Sequence, residues 1–135
     1  MSITELFKKL GAPLVNSRWS WGSVRELDGA VFLRVWQDRK INEGGHTFLM
    51  VSHHEKYEDD PDNRRYKERI SHIELVQSGA KCYMINCIAE DVNATPRKIM
   101  RFNQSEVFVG GRVVEKFGDV WVELADRIPI EEVIP

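Results

Sequence analysis

Arginine and aromatic residues are interleaved three times in this chain, and each type has something definite to offer a ligand. The runs are Arg18-Trp19-Ser20-Trp21-Gly22-Ser23-Val24-Arg25, Arg34-Val35-Trp36-Gln37-Asp38-Arg39-Lys40 and Arg64-Arg65-Tyr66-Lys67-Glu68-Arg69. A guanidinium presents a planar fork of donors that matches a phosphate. An indole or phenol face stacks on a nucleic-acid base, and each stacked base contributes roughly 1–3 kcal/mol. Together they suit a protein that grips a sugar–phosphate backbone and encloses one exposed base. Trp19, Trp21 and Trp36 are the candidate walls of such a pocket. Arg18, Arg25, Arg34, Arg64 and Arg65 are the candidate phosphate ligands. Each group has a structural alternative. Trp36 beside Phe32 suits the core of a strand, and the 64–69 run suits a solvated helix face. Trp19 and Trp21, one residue apart in an extended segment, point the same way, either as a wall of the core or as an aromatic surface for a flat ligand.

Catalytic chemistry finds less support. His53-His54-Glu55 has metal-binding residue types, but adjacent side chains on a strand point to opposite faces. There is no His-Glu-x-x-His helix and no Cys-x-x-Cys pair. Gly110-Gly111 is not followed by the Gly-Lys-Ser/Thr of a phosphate loop, and no Gly-x-Ser-x-Gly elbow occurs. The acidic run Glu58-Asp59-Asp60-Pro61-Asp62 has the chemistry of a solvated loop rather than of a rigid divalent-ion site. The residues therefore predict no catalytic set, no metal and no cofactor. A small metal-dependent hydrolase using His53, His54 or Glu55 is the enzymatic alternative.

The elements that must carry these residues follow from periodicity. Ser2 and Glu5 form a capping box ahead of Ile3, Leu6, Phe7 and Leu10, so a short amphipathic helix opens the chain and stops at Gly11 and Pro13. Alternation predicts strands at Val31–Trp36 and His46–Ser52, the second returning from a Gly44-Gly45 turn. A helix over 63–78, with Tyr66, Ile70, Ile73 and Val76 on one face, ends at Gly79; His72 belongs at its surface or boundary. A strand over 81–89 follows, in which the odd separation of Cys82 and Cys87 puts the thiols on opposite faces, unbridged and reduced. Thr95-Pro96 predicts a brief helix through Arg101. Strands over 106–116 and 119–125 flank a tight turn at Phe117-Gly118, with a bulge or close backbone approach at Gly110-Gly111. Trp121 points away from the face that carries Val120, Val122 and Leu124.

At 135 residues with 42% hydrophobic content, the chain predicts one domain over 1–135 with a single core. The class is α+β: a small, strongly curved mixed sheet or barrel with two to three helices. A net charge of −2 excludes a generally basic nucleic-acid binder, so any such affinity must be local. The first residues lack the order of a signal peptide, and no apolar run approaches the roughly 20 residues of a bilayer span. A cytoplasmic protein with no membrane partner is expected.

Arg18-Trp19-Ser20-Trp21-Gly22, Val31-Phe32-Leu33-Arg34-Val35-Trp36-Gln37-Asp38, the stretch 68–80 and Val107-Phe108-Val109-Gly110-Gly111 resemble small bacterial and phage-type domains that occur alone or attached to HNH-type nucleases. More distantly, a helix leading through Gly79 into a strand is similar to PUA-like domains, which include the SRA and EVE readers of modified bases. The resemblance implies a PUA-like build and a non-catalytic DNA-binding module that recognises a modified or flipped base in restriction or phage defence, with a nuclease partner. The chain carries no HNH pattern of its own. A protein-interaction or inhibitor domain in phage–host conflict is the alternative that fits the net charge of −2 and the acidic loop.

Overall fold

The computed structural model describes residues 1–52 and 63–135. The expected residues His53, His54, Glu55 and the acidic run lie outside them. Two strands form the centre: β2 (Val31–Trp36) runs parallel to β5 (Cys82–Ala89), with Val31 opposite Cys82 and Trp36 opposite Cys87. Their alternate residues feed two cores. Phe32, Trp36, Ile85 and Cys87 face one way, and Val31, Leu33, Val35, Cys82 and Met84 the other. A strand buried on both faces loses the polar alternation of a half-exposed one, which is why β2 reads as nearly continuous apolar sequence.

Around that pair the other strands are antiparallel: β1 (Gly22–Val24), β3 (Lys40–Glu43), β4 (His46–Ser52), β6 (Ile99–Phe102), β7 (Glu106–Lys116) and β8 (Asp119–Pro129). The order is β1-β2-β5-β7-β8-β4-β3, with β6 also on β5. The chain is thus α+β, and the sheet remains open; the barrel alternative is not realised, because β1 and β3 end the path without pairing to each other. Helix α1 (Ile3–Lys9) has both bonds of its capping box and buries Leu6 and Phe7 in the first core, with Ile130 and Val133 of the carboxyl end. Helix α2 (Arg64–Gln77) starts at the Asn63 cap and buries Ile73 in the second core. No helix among the described residues is long and apolar enough to cross a membrane.

Several expectations hold in detail. Cys82 and Cys87 are free thiols in opposite cores, and burial pushes them up to about 12 and about 11. The β7–β8 ladder slips on both sides of Gly110, and a Cβ on Gly110 would lie 2.8 Å from the Cys82 Sγ. Trp121 is buried and donates Nε1–H to the Lys116 carbonyl at 3.0 Å.

Two expectations are corrected. Residues 99–102 form β6 instead of continuing a helix from Thr95-Pro96. Ile99 and Phe102 are three apart, a helical spacing, yet the pairing passes from Ile88–Arg101 to Ala89–Ile99 and skips Met100. The bulge turns Met100 out to solvent and lets Ile99 and Phe102 both pack on the first core. His72 is buried rather than at the helix surface, because β1 lies over this face of α2.

Candidate functional site

Residues 16–20 precede β1 outside the ladder, which begins with the Arg34 N–H donating to the Trp21 carbonyl at 2.9 Å, so their peptide groups need other partners. Side chains provide them. The Arg65 Nε–H donates to the Trp19 carbonyl at 3.1 Å, and the Arg34 Nη1–H to the Ser20 carbonyl at 3.1 Å. Glu68 accepts from the Ser20 hydroxyl at 2.9 Å and from the Trp21 N–H at 3.3 Å. The Arg69 Nη2–H group bridges the carbonyls of Trp21 and Arg34 at 2.8 and 3.0 Å. Arg65, Glu68 and Arg69 stand at helical spacing, so one face of α2 clamps the indole-bearing segment to β2.

This clamp shapes a cavity of about 470 Å³ at the end of β2, the end of β4 and the start of α2. Trp19, Trp21, Arg34 and Trp36 line it, with Arg64, Arg65, Tyr66 and Arg69 across from them. Met50, Val51 and Ser52 complete the wall; the β4–β8 register skips Val51, so this strand end departs from simple alternation and successive residues reach the space. Trp21 meets Trp36 at 5.2 Å with a 59° tilt. The guanidinium of Arg34 lies 4.4 Å from the Trp21 ring centre and that of Arg65 5.1 Å. Trp36 is 8% exposed and serves both core and wall. Arg97 backs its ring at 5.3 Å and is itself held by a two-bond pair with Asp38, which keeps the Asp38 carboxyl below the usual range.

The structure therefore brings Trp19, Trp21, Trp36, Arg34, Arg64 and Arg65 to one cavity, as the interleaving predicted. It does not bring Arg18 or Arg25. Arg18 is exposed and does not line the space. Arg25 is corrected to a structural role: it is 6% exposed, pairs with Asp28, and donates to the carbonyls of Leu10 and Val133. Its fork joins α1 and the carboxyl end to the sheet, leaving none of it for a ligand. Sequence reasoning missed Arg39, Ser52 and Arg69 as lining residues. For Arg69 a signal existed, since it stands one helical turn from Arg65; for Ser52 only the fold supplies it.

The electrostatics of the cavity are set by burial. Burial lowers the Arg69 guanidinium to about 10, with the neighbouring Arg34 charge adding to the effect. Burial likewise lowers Arg34. Both stay cationic at neutral pH, and neither forms an ion pair with a carboxylate among the described residues. Burial raises Glu68, whose two oxygens face Ser20 and Trp21. Among the described residues no group of three or more His, Cys, Asp or Glu side chains is placed to hold a metal ion.

No family model, curated protein or solved structure matches this chain.

Proposed function

We propose that the chain is a non-catalytic DNA-binding module that takes one modified or flipped base into the tryptophan–arginine cavity. The observation that carries this reading is the convergence of aromatic and cationic side chains from 19–21, 34–36 and 64–69 on one space of about 470 Å³. That volume lies within the ~300–1,000 Å³ usual for small-molecule sites and is ample for a single base. An extruded base exchanges its neighbours in the stack for protein faces, and indole or phenol surfaces replace them best. Arg64 and Arg65 are exposed at the rim, where flanking phosphates would lie. The PUA-like resemblance and a role in restriction or phage defence, beside a nuclease partner, accord with this reading and form part of the proposal.

Titration of oligonucleotides with and without cytosine modification, followed by tryptophan fluorescence, tests it. The expected result is binding in the micromolar range or tighter at low salt, with a preference of about tenfold for the modified strand, or about 1.4 kcal/mol. Equal and negligible binding to every oligonucleotide at low and moderate salt overturns it.

A further inference from the structure

Three polar atoms in the cavity wall are buried with no hydrogen-bond partner among the described residues: the Trp19 Nε1, the Arg34 Nε and the Ser52 Oγ. Ser52 is only 7% exposed, as is Arg69. The first two atoms are donors with no capacity to accept, and the hydroxyl can donate. Buried donors left unmet are costly, and buried charges without a counter-charge more so. Native interiors rarely keep such groups idle. The carboxylate nearest in sequence, Glu68, already holds Ser20 and Trp21. Arg69 bridges the two carbonyls through Nη2, and Arg34 bonds Ser20 through Nη1 while its guanidinium also meets the Cys87 thiol.

We infer that Arg34, Arg69, the Trp19 indole N–H and the Ser52 hydroxyl form an anion seat in this cavity, for a phosphate group carried by the bound nucleotide. The inference rests on reading the cavity as the nucleotide site, and it adds the chemical class of what reaches the inner wall. A phosphate offers acceptor oxygens and negative charge, which is what these groups lack. It also separates the arginines by role: Arg64 and Arg65 serve the rim, while Arg34 and Arg69 serve the interior. The phosphate could belong to a DNA strand or to a free mononucleotide, and the experiment distinguishes the two.

Cytidine and cytidine 5′-monophosphate are titrated against tryptophan fluorescence, alongside the same oligonucleotide with a 5′-phosphate and with a 5′-hydroxyl. The monophosphate is expected to bind at least tenfold tighter than the nucleoside, and inorganic phosphate to compete with it more strongly than chloride at equal ionic strength. Ser52→Ala removes a hydroxyl with no partner among the described residues, so the free protein should melt no lower than the parent while monophosphate affinity falls about threefold to tenfold. A merely structural serine would not split the two readouts in this way. Equal affinity for nucleoside and monophosphate, with oligonucleotides still bound, overturns the seat and leaves the DNA reading standing. Tight monophosphate binding with no oligonucleotide bound supports the seat and overturns the DNA reading. Failure of every probe overturns both.

Discussion

At Gly22 there is no room for a methyl group. A Cβ there would stand 2.6 Å from the Phe32 carbonyl oxygen and 3.2 Å from the His72 Nδ1. The nearer atom is backbone in the middle of β2, which cannot turn aside as a side-chain tip can. Gly22 also follows Trp21 directly, so displacement of β1 moves the indole that Arg34 and Arg65 cover. Gly22→Ala is therefore expected to destabilise the fold by about 1–3 kcal/mol, the usual range for overpacking. Urea unfolding checks this, and a change below about 0.5 kcal/mol would show that β1 yields freely. Arg69→Lys tests the neighbouring clamp. A lysine can replace the charge but not the fork that spans the Trp21 and Arg34 carbonyls. We expect a loss of about 1–2 kcal/mol in the same assay, since the Trp21 carbonyl keeps the Arg34 N–H while the Arg34 carbonyl loses its partner.

Helix α2 carries both the clamp and a buried titratable group, so its docking should depend on pH. Burial holds the His72 imidazole neutral, lowering it from 6.5 to about 4, with the Arg69 charge adding to the effect. Between those values the unfolded chain binds a proton that the folded chain refuses. Stability is thus fully expressed above pH 6.5 and declines as pH falls through that window, by an amount on the order of 2–3 kcal/mol. His72→Gln should flatten the slope of unfolding free energy against pH between 6.5 and 4; an unchanged slope would exclude His72 as its source. None of this could be read from the helix pattern, which put His72 at the surface or boundary. The pattern did find α1, β2, β4, α2, β5 and the β7–β8 hairpin, because each has a strong internal period or cap. It left β1 and β3 unread, since strands of three and four residues are too short for a period to register. It misread β6 because Thr95-Pro96 has the residue types of a helix start, whereas residues 99–102 pair with β5. The site was legible where composition is distinctive, at the tryptophans and their flanking arginines. Arg25 shows the limit of that reasoning: its neighbours in sequence resemble those of Arg34, but Asp28 follows three residues later and the chain turns it inward.

Across the whole molecule, charge is nearly balanced while the cavity is strongly cationic. With a net charge of −2 there is no broad positive field to draw nucleic acid from a distance, so binding must depend on a few local contacts. Counterion release makes this countable, since the logarithm of the affinity for duplex DNA falls with the logarithm of salt at about 0.9 per phosphate neutralised, and about 0.7 for a single strand. If Arg64 and Arg65 meet two phosphates at the rim and the interior pair meets a third, the expected slope is about −2 to −3. Arg64→Gln removes an exposed charge and should reduce the steepness by about one phosphate's share, with folding stability unchanged within about 0.5 kcal/mol. Affinity measured from about 50 to 200 mM salt for parent and variant checks both numbers. A parent slope steeper than about −5 would mean that a larger basic surface binds DNA, and the cavity would no longer account for the interaction.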